Sequence, residues 1–143
     1  MSNRIIVVGV DGSETAEQAS RRAAEIAAIS SAELHVLASY SRFEVDAIEP
    51  GVPLSSVDDV QLVAEQTVTA LRGAHPDVEI VAAPAEGKPA DALVRHAERV
   101  GADLIVVGNK RAQGLARVLG SVARDVTAHA PCDVYVVHTH AAH

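Results

Sequence analysis

The chain has 143 residues, close to the roughly 150 of an average domain, so a single domain spanning 1–143 is expected. Hydrophobic residues make up 48% and charged residues 22%, which is too apolar for intrinsic disorder. With 19 acidic against 12 basic side chains the net charge is −7, which argues against a general binder of nucleic acid or of anionic membrane. No apolar run reaches the roughly 18 residues of a membrane span, and the N-terminus shows no signal-peptide pattern. The single cysteine, Cys132, permits neither an internal disulfide nor a thiolate zinc cage, so a reducing, cytoplasmic location is expected. With no Trp, two Tyr and one Phe there is no aromatic platform for base stacking.

In chain order, Ile5–Val10 is an unbroken apolar run, the pattern of a strand buried on both faces. Ser13 can cap a helix whose Ala16, Ala19, Ala23, Ile26 and Ala27 share one side, with Arg21, Arg22 and Glu25 on the other. Glu33–Ser39 reads as a strand. Tyr40–Ser55, with Pro50, Gly51 and Pro53, is a long irregular stretch of the kind that is often functional or mobile. Val60, Val63, Ala64, Thr67, Val68 and Leu71 mark a second helix that ends by Gly73. Val78–Ala83 reads as a strand. A third helix follows, with Pro89 near its start, Leu93, Val94, Ala97 and Val100 on its apolar side, and Gly101 past its end. Leu104–Val107 is the second strong strand. The last helix starts near Ser121, runs through Val122 and Val126, and stops before Pro131. Val134–His138 closes the pattern, and 139–143 is expected to be a flexible tail. This alternation of strand and helix predicts an α/β fold, an open parallel sheet with helices on both faces.

Ligands of such sheets bind outside the carboxyl ends of the strands. One strong strand runs into Val10-Asp11-Gly12-Ser13. The other runs into Gly108-Asn109-Lys110-Arg111-Ala112-Gln113-Gly114, with Gly120-Ser121 opening the last helix. Glycines let backbone N–H groups approach an anion, and a helix start adds partial positive charge. Between Leu104 and Arg124 lie four cations, Lys110, Arg111, Arg117 and Arg124, and no acid. Arg124 falls where a capping box would place Glu, and a cation there opposes the helix dipole. An anion bound at the same helix end resolves the conflict; for any single one of these cations, simple solvation is the commoner explanation.

Val7-Val8-Gly9-Val10-Asp11-Gly12-Ser13, Val106-Val107-Gly108-Asn109-Lys110, Gly120-Ser121-Val122-Ala123 and Ala130-Pro131-Cys132-Asp133-Val134 together resemble the universal stress protein family. The resemblance covers essentially the whole chain. It implies five strands in the order 3-2-1-4-5, as in the adenine-nucleotide alpha-hydrolase-like folds. It also implies a homodimer paired through Val134–His138 and, as in many members, an ATP site. Mg²⁺ or Mn²⁺ would enter only with the nucleotide.

The nucleotide-binding positions that the resemblance implies are Val10 and Asp11 after the first strand, Ala38 at the end of the second, and Val107, Gly108, Lys110, Arg111 and Gly114 after the fourth. Gly120, Ser121, Val122 and Ala123 complete them at the last helix. The family pattern is Gly, two residues, Gly, nine residues, Gly, then Ser or Thr. This sequence departs from it twice: Arg111 replaces the second glycine, and eight residues rather than nine separate it from Gly120. Arg111 disfavours positive φ; its guanidinium can grip a phosphate or plug the site. Gly114 can restore part of the loop's freedom. Asp11 reads equally as a ribose or metal-phosphate ligand and as a turn-forming Asp before Gly12. Ala38 reads as an adenine-edge position or as an ordinary strand residue.

Enzyme signatures are lacking. There is no P-loop, no adenylating Ser-Gly-Gly-x-Asp-Ser loop, no paired acids of a phospho-receiver and no hydroxyl-rich flavin loop after the first strand. Of the seven histidines, His138, His140 and His143 form a C-terminal cluster read as solvated. His35 reads as structural, and His75, His96 and His129 as surface residues near helix ends. Cys132 reads as an inert thiol. The expected function is a sensor or regulator that binds ATP and is not an efficient enzyme, with any hydrolysis slow and incidental. The alternatives are an interaction module whose site Arg111 closes, and a cyclic AMP binder.

Overall fold

The computed structural model describes residues 4–40, 57–110 and 119–139. The chain order is β1 (Ile5–Gly9), α1 (Glu14–Ser30), β2 (Glu33–Tyr40), α2 (Val57–Ala74), β3 (Ile80–Glu86), α3 (Pro89–Val100), β4 (Leu104–Lys110), α4 (Ser121–His129) and β5 (Asp133–Thr139). The five strands form one parallel sheet in the order β3-β2-β1-β4-β5. Fold class and strand order are those expected from the sequence. The stretch Tyr40–Ser55 is described only at Tyr40, which belongs to β2. Among the described residues no helix is long and apolar enough to cross a membrane.

The unalternating apolar runs have a direct cause: the sheet is buried on both faces. Ile6, Val8, Leu34, Val36, Ile80 and Val106 pack under α1 and α2. Val7, Leu37, Ile105 and Val107 pack under α3 and α4. Successive strand residues point to opposite faces, and each face finds a helix layer. The α1 face presents Ala19, Ala23, Ala24 and Ala27, all fully buried, so its backbone lies close to the sheet.

Several strand boundaries differ from the sequence reading: β2 runs to Tyr40, β3 starts at Ile80 and β4 runs to Lys110. β3 runs on through Pro84 to Glu86; proline is tolerated because β3 is an edge strand. Thr139, placed in the tail by sequence, is the fully buried last residue of β5, with its hydroxyl 3.3 Å from that of Thr15. Residues 140–143, with His140 and His143, lie outside the described residues.

His96 is also corrected. It sits within α3 rather than on the surface and is 5% exposed, facing buried His35 of β2. Arginine carries only donors, so the Arg99 guanidinium, 2.9 Å from His96 Nδ1, makes that nitrogen an acceptor. Neutral His96 then donates from Nε2 to His35 Nδ1 at 2.9 Å. His35 in turn donates from Nε2 to Glu33 Oε1 at 3.1 Å. Burial, followed by electrostatic interaction with His35 and Arg99, lowers the His96 pKa to about 4.

The sign of the pH effect follows. The unfolded chain, with an ordinary histidine pKa near 6.5, takes up a proton before the folded chain does. Stability is therefore complete above about pH 6.5 and falls as pH drops toward 4, by up to roughly 3 kcal/mol for a shift of this size. The urea midpoint should fall across that window, and less steeply in His96→Gln. Identical slopes in parent and variant would exclude this chain as the source.

Candidate functional site

β1 neighbours both β2 and β4, and the chain crosses over β1 on its way from β3 to β4. This reversal opens a crevice at the carboxyl ends of β1 and β4. A cleft of about 140 Å³ lies there. The β1–α1 turn forms one wall through Val10, Asp11, Ser13 and Thr15. β2 adds Leu37 and Ser39, and α3 adds Pro89 and Leu93. β4 supplies Val107 and Gly108, and α4 supplies Val122. The volume falls below the roughly 300–1,000 Å³ of a typical ligand pocket, so these walls enclose only part of a small molecule.

The first turn is built from local chemistry. The Val10 N–H donates to the Leu37 carbonyl at 2.8 Å. Asp11 Oδ1 accepts the Ser13 N–H at 2.9 Å, and Gly12 adopts φ +87°, a turn that glycine makes without strain. Ser13 caps α1 by accepting the Ala16 N–H at 3.2 Å. Asp11 thus fulfils its turn-forming reading with one carboxylate oxygen while its exposed side chain also lines the cleft.

Of the residues marked by sequence, Val10, Asp11, Val107, Gly108 and Val122 meet at the cleft. Ala38 does not: its side chain is buried in the α1–α2 core, and by strand alternation its neighbours Leu37 and Ser39 reach the cleft. Ala123 packs in the α3–α4 core. Gly120 is the N-cap of α4, Ser121 its exposed first residue, and Arg124 its fourth. Arg111, Gly114 and Arg117, and the side chain of Lys110, lie outside the described residues.

Gly108 has a packing explanation of its own. A Cβ there would stand 2.8 Å from the Thr15 carbonyl oxygen and 2.9 Å from its Cγ2. The glycine lets α1 sit down on β4. Gly120 differs: its φ is −65°, and among the described residues an added Cβ would meet only Asn109 Oδ1, at 3.3 Å. Asn109, which the sequence reading left out of the site, accepts the Gly120 N–H through Oδ1 at 2.7 Å. The available signal was a polar residue at the end of an apolar strand, between Gly108 and Lys110.

A larger groove of about 690 Å³ runs between α1 and α2 and shares Val10 and Ser13 with the cleft. Its wall carries Glu17 and Glu25, and its Arg21 is already bonded to Glu17 at 2.9 Å. That charge suits an anion poorly, so the smaller cleft is the better phosphate candidate. Among the described residues no group of three or more His, Cys, Asp or Glu could hold a metal ion. Cys132 is free and half-buried, and burial pushes its thiol pKa up, away from a reactive thiolate.

The profile of the universal stress protein family matches residues 2–138. The universal stress protein Rv1636 of Mycobacterium tuberculosis is 35% identical over 142 residues, covering 95% of this chain and 97% of that protein. A universal stress protein solved in complex with cAMP is 32% identical, with a TM-score of 0.71 and coverage of 97% of this chain and 99% of that one. The universal stress protein of Archaeoglobus fulgidus in complex with dAMP is 27% identical, with a TM-score of 0.70 and coverage of 96% and 99%.

The two glycines should respond differently to substitution. Gly108→Ala forces a Cβ against backbone and should cost roughly 1–3 kcal/mol of stability. Gly120→Ala should unfold within about 1 kcal/mol of the parent. Urea unfolding of both variants checks this; equal losses would mean that the close approach at Thr15 is not what demands glycine at 108.

Proposed function

The chain belongs to the universal stress protein family, and we propose that it binds an adenine nucleotide in the cleft at the ends of β1 and β4, as a sensor or regulator. One observation carries the reading. At this cleft α4 begins on a glycine, with no side-chain cap among the described residues and no acid in its first turn, and such a helix start suits an anion. Two relatives were solved with cAMP and with dAMP, which supports an adenine ligand. Both ligands carry one phosphate, and that favours cyclic AMP as a second reading beside ATP. In the ATP reading Mg²⁺ or Mn²⁺ arrives with the phosphates, near Asp11.

The protein is proposed not to be an efficient enzyme. Among the described residues Asp11 is the sole titratable side chain lining the cleft, and its carboxylate is already engaged in the turn. A regulator of this kind needs a ligand-dependent surface rather than a general base. A cytoplasmic location suits its single thiol. Dimerisation is proposed through β5, an edge strand that pairs only with β4 within the chain.

Calorimetric titration with ATP, AMP, cyclic AMP and adenosine tests the reading. At least one phosphate-bearing ligand should bind; no heat from any of them sinks the proposal. Arg111 separates it from the rival, a closed interaction module. If the guanidinium grips a phosphate, Arg111→Ala should weaken binding about ten- to a hundred-fold. If it plugs the site, the same variant should bind tighter, and Arg111→Gly tighter still. For the dimer, light scattering should give twice 14.9 kDa, and Val136→Pro should give the monomer. A monomeric parent would rule out the β5 pairing.

A further inference from the structure

We propose that Asn109 positions the phosphate-binding end of α4 by holding Gly120 from outside the helix, so that the helix keeps its own N–H donors for the ligand. The inference rests on the adenine-nucleotide reading and adds to it a residue that acts through α4.

Every helix starts with N–H groups that have no acceptor within the helix. The common solution is a Ser, Thr, Asp or Asn at the N-cap, whose oxygen takes one of them. This chain uses that solution at α1, where Ser13 accepts the Ala16 N–H. At α4 it does not: Gly120 has no side chain to turn inward, and no acid stands in the first turn. A glycine N-cap fixes nothing by itself, since its backbone is the most free to move.

Asn109 supplies the missing constraint. It is 6% exposed, and β4 holds its backbone in register with His138 of β5. Its Oδ1 accepts the Gly120 N–H at 2.7 Å. The N–H so used belongs to the cap residue, ahead of the first helical position. Among the described residues no side chain caps the donors of Ser121, Val122 and Ala123. One side-chain amide therefore ties the strand carrying Gly108 to the helix carrying Val122, the two walls between which a phosphate would sit.

The charge state of this acceptor matters. Aspartate would accept the same N–H and favour the helix dipole, but its charge would be buried and it lacks the amide's donor. It would place a negative charge beside the bound phosphate, where like charges repel. The neutral amide keeps the acceptor and spares the anion. A merely structural clamp would register the difference in stability and not in the ratio of phosphate-ligand to adenosine affinity.

The experiment compares the parent, Asn109→Asp and Asn109→Ala by calorimetry with cyclic AMP, AMP and adenosine, alongside urea unfolding. Asn109→Asp should bind both phosphate ligands about ten-fold or more weakly, whatever its urea midpoint. Its adenosine affinity should stay within about two-fold of the parent's. Asn109→Ala should lower the midpoint and weaken the phosphate ligands more than adenosine. The proposal is overturned if Asn109→Asp binds cyclic AMP as the parent does, or loses adenosine and cyclic AMP in equal proportion. A parent that binds none of the three overturns the nucleotide reading itself, and this proposal with it.

Discussion

A parallel sheet covered on both faces leaves only the ends of its strands in contact with solvent, and the rest of this structure follows from that constraint. The strand interiors must be apolar on both sides, which is why β1 and β4 are runs of Ile, Leu and Val. The covering helices must come close, and α1 does so on a stripe of buried alanines. Close approach in turn requires that β4 have no side chain opposite Thr15, and Gly108 meets that requirement. Polar chemistry is pushed to the carboxyl ends, where the crossing over β1 opens the cleft. The site is a by-product of how the layers pack before it is anything else.

The helices that begin at this cleft are not capped alike. α1 has a serine cap and acids in its first turn, as the dipole prefers; α4 has neither and carries Arg124 one turn in. Departures of this kind are expected where binding, rather than stability, sets the residue. They also account for the cations between Leu104 and Arg124 in a chain of net charge −7.

The other polar feature lies away from the cleft and follows a different logic. Glu33, His35, His96 and Arg99 form a line of hydrogen bonds between β2 and α3 in which every ring nitrogen has a defined role. Such a line tolerates burial because no donor is left without an acceptor. Its cost appears only when a second proton is added. α3 also presents Pro89 and Leu93 to the cleft, so the packing that these histidines maintain supports one wall of the site.

The residue pattern alone was enough for an open parallel α/β sheet, and the resemblance to the family supplied the strand order. Hydrophobic period, helix caps and glycine stops are local properties of the chain, and they marked every described strand and helix with small errors at the ends. Ser13, Gly12 and Gly101 do in the structure what their positions suggested. It was also enough to direct attention to Val10, Asp11, Val107, Gly108 and Val122. Which side of a strand faces the cleft was not legible, because in a doubly buried strand both faces are apolar; hence the side chains of Leu37 and Ser39 went unmarked. Contacts between distant segments were equally hidden. Gly108 against Thr15, Asn109 against Gly120 and His35 against His96 each join residues with no sequence spacing to announce them. Only the folded sheet, by setting strand register and helix approach, decided which of these side chains meet.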